Sequence, residues 1–294
     1  MDFDALLKEA SRYESRLRAH RRALHHIPEL GYEEHETHAY LMEHLRALAP
    51  DDLKTYAETG IRAVFRGDGT GRVIAFRSDI DALPISEKTG CAFASRHPGK
   101  MHACGHDGHQ AVAFELARFI VANRERLTGR IRFIFQPGEE GSRGAYPIVQ
   151  SGLLDDVDTL LCAHIATDLQ AGTVVAAPEK FLCTTKIDLH FEGVQAHAGM
   201  QPQLGRNALL AAADAALILM ALPRHSDGMT RVNVGTLHAG EGRNVIAAHA
   251  DMEVEVRGEN EAINRELARE AVTRAQGCAM AFGVRMCHKI TDEI

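Results

Sequence analysis

Met101-His102-Ala103-Cys104-Gly105-His106-Asp107-Gly108-His109 packs three imidazoles, a thiol and a carboxylate into one short run. Those side-chain types together form the donor set that borderline divalent metals such as zinc prefer. Cys104 and His106 stand two apart, so both reach one ion from an irregular loop or a strand end. Three further runs repeat a single pattern, an apolar strand that delivers an acid or an imidazole. Arg72 to Phe76 leads into Asp79-Ile80-Asp81, Arg130 to Phe135 into Gln136-Pro137-Gly138-Glu139-Glu140-Gly141, and Thr159 to Ala163 into His164. Open α/β sheets build their sites at the carboxyl ends of strands. Glu139 and Glu140 can face different ways where the backbone turns, so one can hold a metal while the other moves a proton. The convergence predicts a metal centre.

The elements that must position these residues alternate between helix and strand. Apolar spacing predicts a helix from Phe3 to His26, ended by Pro28 and Gly31, and a second from Glu33 to Leu48. Arg62 to Phe65 and Arg72 to Phe76 read as strands flanking Gly67-Asp68-Gly69-Thr70-Gly71. That segment lacks the lysine and following helix of a phosphate loop, so a hairpin turn is expected. Asp79 and Asp81 share a side if their strand stays extended. A helix from Gln110 to Arg126 follows the cluster. After about Lys180 the pattern changes. Thr184 to Phe191 alternates, Leu204 to Leu222 is a helix, and Arg231 to Leu237 and Ala250 to Arg257 are strands. Asn260 to Ala281 is helical and Val284 to Ile290 a last strand. A βαββαβ order predicts a four-stranded sheet with two helices on one face.

Composition narrows the class. The chain has 294 residues, net charge -7, 45% hydrophobic and 25% charged residues, which suits two globular α/β domains and leaves no basic footprint for nucleic acid. The apolar run from Ala208 to Leu222 is interrupted by Asp214 and too short to span a bilayer. Met1-Asp2-Phe3-Asp4 lacks the basic and apolar regions of a signal peptide, so a cytoplasmic protein is expected. Six scattered cysteines (Cys91, Cys104, Cys162, Cys183, Cys278, Cys287) read as reduced thiols, Cys104 apart for its neighbours. His20, His25, His26, His35, His38 and His44 read as solvated or supporting residues of the N-terminal helical region, most of them without a role.

In this order, Asp79-Ile80-Asp81-Ala82-Leu83-Pro84, the Met101 to His109 cluster, Gln136 to Gly141 and His164 resemble the metal-dependent aminoacylase/carboxypeptidase family. The resemblance is greatest to its amidohydrolase subgroup, which holds hippurate hydrolases, indole-acetyl-amino-acid hydrolases and acetyl-diaminopimelate deacetylases. It covers essentially the whole chain. It implies a zinc-peptidase-like catalytic α/β/α sandwich at residues 1–181 and an inserted α+β lid or dimerisation domain at 182–294. Two divalent ions (manganese, zinc, cobalt or nickel) would be held by Cys104, His106, Glu140 and His164. Glu139 would be general base and acid, and Asp81 would orient an imidazole. The reaction would be hydrolysis of the amide of an N-acyl or N-aroyl amino acid. Gly193-Val194-Gln195-Ala196-His197-Ala198-Gly199 and Gly205-Arg206-Asn207-Ala208 resemble the family's lid motif, with His197 reaching the site of a homodimer partner. Asn244 and Arg257 match positions that grip the substrate carboxylate. Family members return from the lid with one more ligand histidine. No counterpart follows His288 here, so four of five expected ligands are present. Apolar surface left uncovered on the catalytic domain is a further expectation. A truncated, non-catalytic homologue with partial metal binding is the alternative reading.

Overall fold

The computed structural model describes residues 3–167, 169–176 and 182–293. The chain divides into two units, Met1–Thr173 and Val174–Ile294. The boundary expected between residues 181 and 182 adjoins residues 177–181, which lie outside the described ones.

The first unit opens with α1 (Phe3–Ala10), a 3₁₀ turn at Ser11–Tyr13, and α2 (Glu14–His25). The continuous helix expected from Phe3 to His26 is thus interrupted, where the Ser11 hydroxyl donates back to the Lys8 carbonyl at 2.8 Å. Such local bonds compete with helix geometry. In α3 (His35–Arg46) the first-turn amides of Glu36 and Thr37 donate to the Glu29 carboxylate at 3.0 and 2.9 Å. There follow β1 (Asp52–Tyr56), β2 (Gly60–Arg66), β3 (Val73–Asp79), α4 (His106–Ala122), β4 (Arg130–Gln136), α5 (Ala145–Gln150) and β5 (Thr159–Cys162).

The sheet runs β1-β2-β4-β3-β5. β1, β2 and β4 pair antiparallel, whereas β4 with β3 and β3 with β5 pair parallel. β4 therefore separates β2 from β3, and Gly67–Gly71 is not a hairpin turn. It crosses the entry to β4 instead, with the amides of Gly67, Asp68 and Gly71 donating to the carbonyls of Gly129, Leu127 and Thr128 at 2.8, 3.2 and 2.7 Å. The reason lies in β4 itself: Phe133, Ile134 and Phe135 are all buried, so both faces must be covered and the strand takes a central place. The larger core (Leu41, Leu45, Ile61, Phe65, Phe114, Phe133, Phe135) lies on the side of α3 and α4. The opposite face has a small cluster of Ala75, Ile134, Ile148 and Leu153. Among the described residues β5 is an edge strand, with Leu160 and Leu161 about half exposed.

The second unit comprises β6 (Cys183–Glu192), β7 (Ala196–His197), α6 (Ala208–Met220), β8 (Thr230–Ala239), β9 (Val245–Ile246), β10 (His249–Gly258), α7 (Glu261–Ala281) and β11 (Arg285–Glu293). Its main sheet is antiparallel in the order β11-β6-β10-β8, the βαββαβ arrangement. Ile187, Leu189 and Phe191 of β6 and Met252, Val254 and Val256 of β10 form one core with α6 and α7. The helix expected from Leu204 starts later, because the Asn207 side chain caps it by accepting from the Leu210 amide at 3.3 Å. Among the described residues no helix is long and apolar enough to cross a membrane.

Candidate metal centre

Parallel pairing sets Asp79 of β3 opposite Gln136 of β4, so Asp79–Asp81 and Gly138–Glu140 leave the sheet together. Against them comes the start of α4, which begins at His106 and not at Gln110. Cys104 and His106 straddle the junction of loop and helix. Gly105 between them takes φ 83°, a left-handed turn that glycine makes without strain.

Asp81 is fully buried and joins the two segments. One carboxylate oxygen lies 3.2 Å from His106 Nδ1, and the other accepts the Glu140 amide at 2.8 Å. The Asp81 carbonyl also accepts from His106 Nδ1, at 2.9 Å. A carbonyl only accepts, so Nδ1 carries the proton and the neutral ring keeps its lone pair on Nε2. That Nε2 is buried with no hydrogen-bond partner among the described residues, 4.0 Å from the Glu139 carboxylate. His164 is set the same way. Its Nδ1 donates to the Ile165 carbonyl at 2.7 Å, and its Nε2 lies 3.3 Å from Cys104 Sγ. Donor atoms of Cys104, His106 and His164 fall within 4.8 Å of one another, as do those of His106, Glu139 and Glu140. His106 belongs to both groups. Five residues singled out by the sequence thus meet at one place, with a donor set and an orphaned imidazole nitrogen that fit divalent cations.

Charge is unbalanced there. Burial opposes protonation of His106, but the Asp81 hydrogen bond and charge override it and raise its pKa to about 9. Asp81 in turn stays below the ordinary carboxylate range despite burial. Burial and the neighbouring charges of Asp79 and Glu140 raise Glu139. Burial and the Glu140, Glu139 and Asp79 carboxylates push the Cys104 thiol up to about 12. Crowded carboxylates of this kind gain from a cation held among them.

Several participants had no role assigned from the sequence. Asp79 is gripped by Arg77 at 2.9 and 2.6 Å and groups with His106 and His109. His109 is buried, with its pKa lowered to about 3 chiefly by that burial, and its Nε2 accepts the Ile165 amide at 2.9 Å. Its one lone pair is used, so it braces the segment that carries His164. Glu34, wholly buried, accepts from the Gly138 amide at 2.9 Å and the Thr59 hydroxyl at 2.5 Å, fixing the turn before Glu139. His26 donates from Nδ1 to the Ala94 carbonyl at 2.9 Å, and His97 likewise to the Pro28 carbonyl at 2.9 Å. These bonds pin the loop that leads to Cys104.

His197, Asn244 and Arg257 belong to the second unit. His197 is exposed, and its Nδ1 accepts the amides of Gly199 and Met200, both at 3.1 Å. The neutral ring therefore presents Nε2–H outward. Asn244 is its neighbour: the Ala198 amide donates to the Asn244 carbonyl at 2.9 Å, and His197 pairs with Val245. Arg257 stands apart. It faces Thr184 at the start of β6 and bonds Glu255 at 2.6 Å, whereas His249 at the other end of β10 faces Glu192, close before β7. From His249 to Arg257 the strand spans ~27 Å. One unit does not offer Asn244 and Arg257 to the same spot.

Residues 75–291 match the model of peptidase family M20/M25/M40. The chain belongs to this family. It is 46% identical over 244 residues to a p-aminobenzoyl-glutamate hydrolase homolog of Haemophilus influenzae, covering 80% of this chain and 57% of that protein. With the indole-3-acetyl-aspartic acid hydrolase of Enterobacter agglomerans it shares 49% identity over 232 residues, 76% of this chain and 53% of the other. Among solved structures, a dinuclear metal binding peptidase of the M20 family from Bacillus subtilis superposes with a TM-score of 0.77 at 30% identity, over 95% of this chain and 74% of that one. The M20 chain thus spans little more than half the length of these two curated relatives.

Proposed function

We propose that this M20 chain carries the site of a metal-dependent amidohydrolase that cleaves the amide of N-acyl or N-aroyl amino acids. The observation that carries the reading is the buried Nε2 of His106, without a hydrogen-bond partner among the described residues, at the meeting point of two donor groups. Cys104, His106, Glu140 and His164 would hold two divalent cations of the manganese, zinc, cobalt or nickel kind. When bound, these supply Lewis acidity toward a carbonyl and a water molecule.

Everything else is done by the chain's own groups. Glu139, whose pKa burial and neighbouring carboxylates raise, takes a proton from the attacking water and returns it to the leaving amine. Asp81 positions both the His106 ring and the Glu140 backbone. His197 donates its outward Nε2–H to the developing oxyanion. Asn244 and Arg257 bind the substrate carboxylate, Arg257 by a guanidinium fork. His197 and Asn244 lie far along the second unit from Arg257, which supports a site that draws on two copies and a homodimer as the working unit. A reducing compartment, the cytoplasm, suits a site that needs Cys104 as a free thiol.

The relatives named for aminobenzoyl-glutamate and indole-acetyl-aspartate supply the test panel: aroyl and arylacetyl conjugates of acidic amino acids. Glu139→Gln is expected to keep its metal and lose amine release, and Glu140→Ala to lose metal. Equal metal contents in the two variants would overturn the division of labour, and a metal-loaded protein that releases no amine across the panel would overturn the amidohydrolase reading. Mixing Glu139→Gln with His197→Ala protomers should restore activity if His197 acts across copies.

A further inference from the structure

A second group of donor side chains meets beside α2. His25, Glu87 and Cys91 bring an imidazole, a carboxylate and a thiol within 4.8 Å of one another. His25 Nε2 lies 3.4 Å from a Glu87 oxygen, and Cys91 Sγ lies 3.6 Å from the same oxygen. A tetrahedral zinc ion with ordinary bond lengths separates its nitrogen and oxygen ligands by ~3.4 Å and its sulfur and oxygen ligands by ~3.6 Å. The spacing of the three donors is already that of a metal site.

His25 is held as metal-binding imidazoles are. Its Nδ1 donates to the Asp107 carboxylate at 2.7 Å, and Arg21 bonds the same carboxylate at 2.7 Å, which turns Nε2 toward Glu87. The side chains of His25 and Glu87 are 3% and 5% exposed. Glu87 is fixed independently of any ion by the Ser95 amide at 2.6 Å and by the Thr89 hydroxyl.

The donors also join two segments that are distant in sequence. His25 ends α2, whereas Glu87 and Cys91 lie in residues 80–105, whose regular pairing among the described residues is the single bridge Leu83↔Met101. A connection of that length needs local fixing, and this one presents Cys104. We propose that His25, Glu87 and Cys91 bind a borderline divalent cation of the zinc type, with water as fourth donor, as a structural clamp between α2 and the 80–105 loop. Binding releases the Cys91 thiol proton and any proton on His25 Nε2. The clamp stands or falls independently of the amidohydrolase reading.

Cobalt(II) is the probe, because thiolate ligation gives it a near-ultraviolet charge-transfer band. The Cys104→Ser chain should retain such a band. The band should vanish in Cys104→Ser/Cys91→Ser and weaken tenfold or more in Cys104→Ser/Glu87→Gln at equal cobalt. Should Cys104→Ser fail to fold by circular dichroism, the comparison of wild type with Cys91→Ser decides, with a loss of half the band or more expected. Absence of the band in folded Cys104→Ser, or a band that Cys91→Ser leaves unchanged, overturns the proposal and reduces the cluster to a hydrogen-bonded brace.

Discussion

Replacing Asp81 by asparagine keeps the size of the side chain while removing its charge and one acceptor oxygen. Its effect on the metal-free protein follows from His106, where burial opposes the charged ring but Asp81 overrides it and holds the pKa near 9. A pKa raised in the folded state contributes stability that is fully present below ~6.5 and is lost as pH rises through about 9. At 1.36 kcal/mol per unit that contribution is at most about 3 kcal/mol. The stability of the wild type over Asp81→Asn should therefore shrink as pH rises from about 6.5 to 9, read as the difference in urea unfolding free energy at each pH.

Metal affinity should show the opposite sign. At pH 7 a cation must displace the His106 proton, which weakens wild-type binding by roughly fiftyfold relative to pH 9. Asp81→Asn escapes that competition but loses the orientation of His106 and Glu140, which typically costs about 10–100-fold in metal affinity. Competition from the Cys104 proton is common to both proteins and cancels in their ratio. The variant should thus bind about 5–50-fold more weakly than wild type at pH 9, and as well as wild type or up to about tenfold more tightly at pH 7. Titration against a chelator at the two pH values reads this directly. A deficit of equal size at both would refute the idea that Asp81 governs His106 by its charge.

Other substitutions test the scaffold. A Cβ at Gly144 would stand 1.6 Å from the Pro137 carbonyl oxygen, so Gly144→Ala should lose ~2 kcal/mol or more in urea unfolding and lower metal content by shifting the Glu139–Glu140 turn. Phe133 is fully buried in the central strand, and Phe133→Ala should cost about 3–5 kcal/mol by the same measurement. Asn207→Ala removes the cap of α6 and should cost about 1 kcal/mol, with no change in metal content.

The strand-end pattern made the centre legible. Asp81, Glu139, Glu140 and His164 each follow an apolar run, and Cys104 and His106 share one motif, so local sequence sufficed to group them. Sheet order was not legible in the same way. The Gly67–Gly71 segment has the composition of a turn whichever strands it joins, and only the two-sided burial of β4 decides that β4 lies between β2 and β3. Glu34, His26 and His97 were missed for a related reason. Each reaches a distant backbone group by a hydrogen bond, Glu34 to Gly138 and His26 to Ala94, and such a bond leaves no periodic trace. Arg257 and Asn244 show the converse: a motif put them in one role, but Arg257 stands near the far end of β10, whereas Asn244 lies beside His197, ahead of β9.

Backbone groups, more than metal ligands, arrange the centre. His106 and His164 both have Nδ1–H engaged by a carbonyl, of Asp81 and of Ile165, so both rings turn Nε2 toward Cys104 and Glu139 without help from an ion. The Glu140 amide is tied to Asp81 and the Gly138 amide to Glu34, which fixes the acidic turn at two points. Ligands fixed in this way lose little freedom on binding, so the entropy of ordering the site has been met by folding. The cost is electrostatic: Asp79, Asp81, Glu139 and Glu140 are gathered before any cation arrives, and the raised pKa values of Glu139, His106 and Cys104 register that strain. Such a site binds cations because the fold has already concentrated the charge they neutralise.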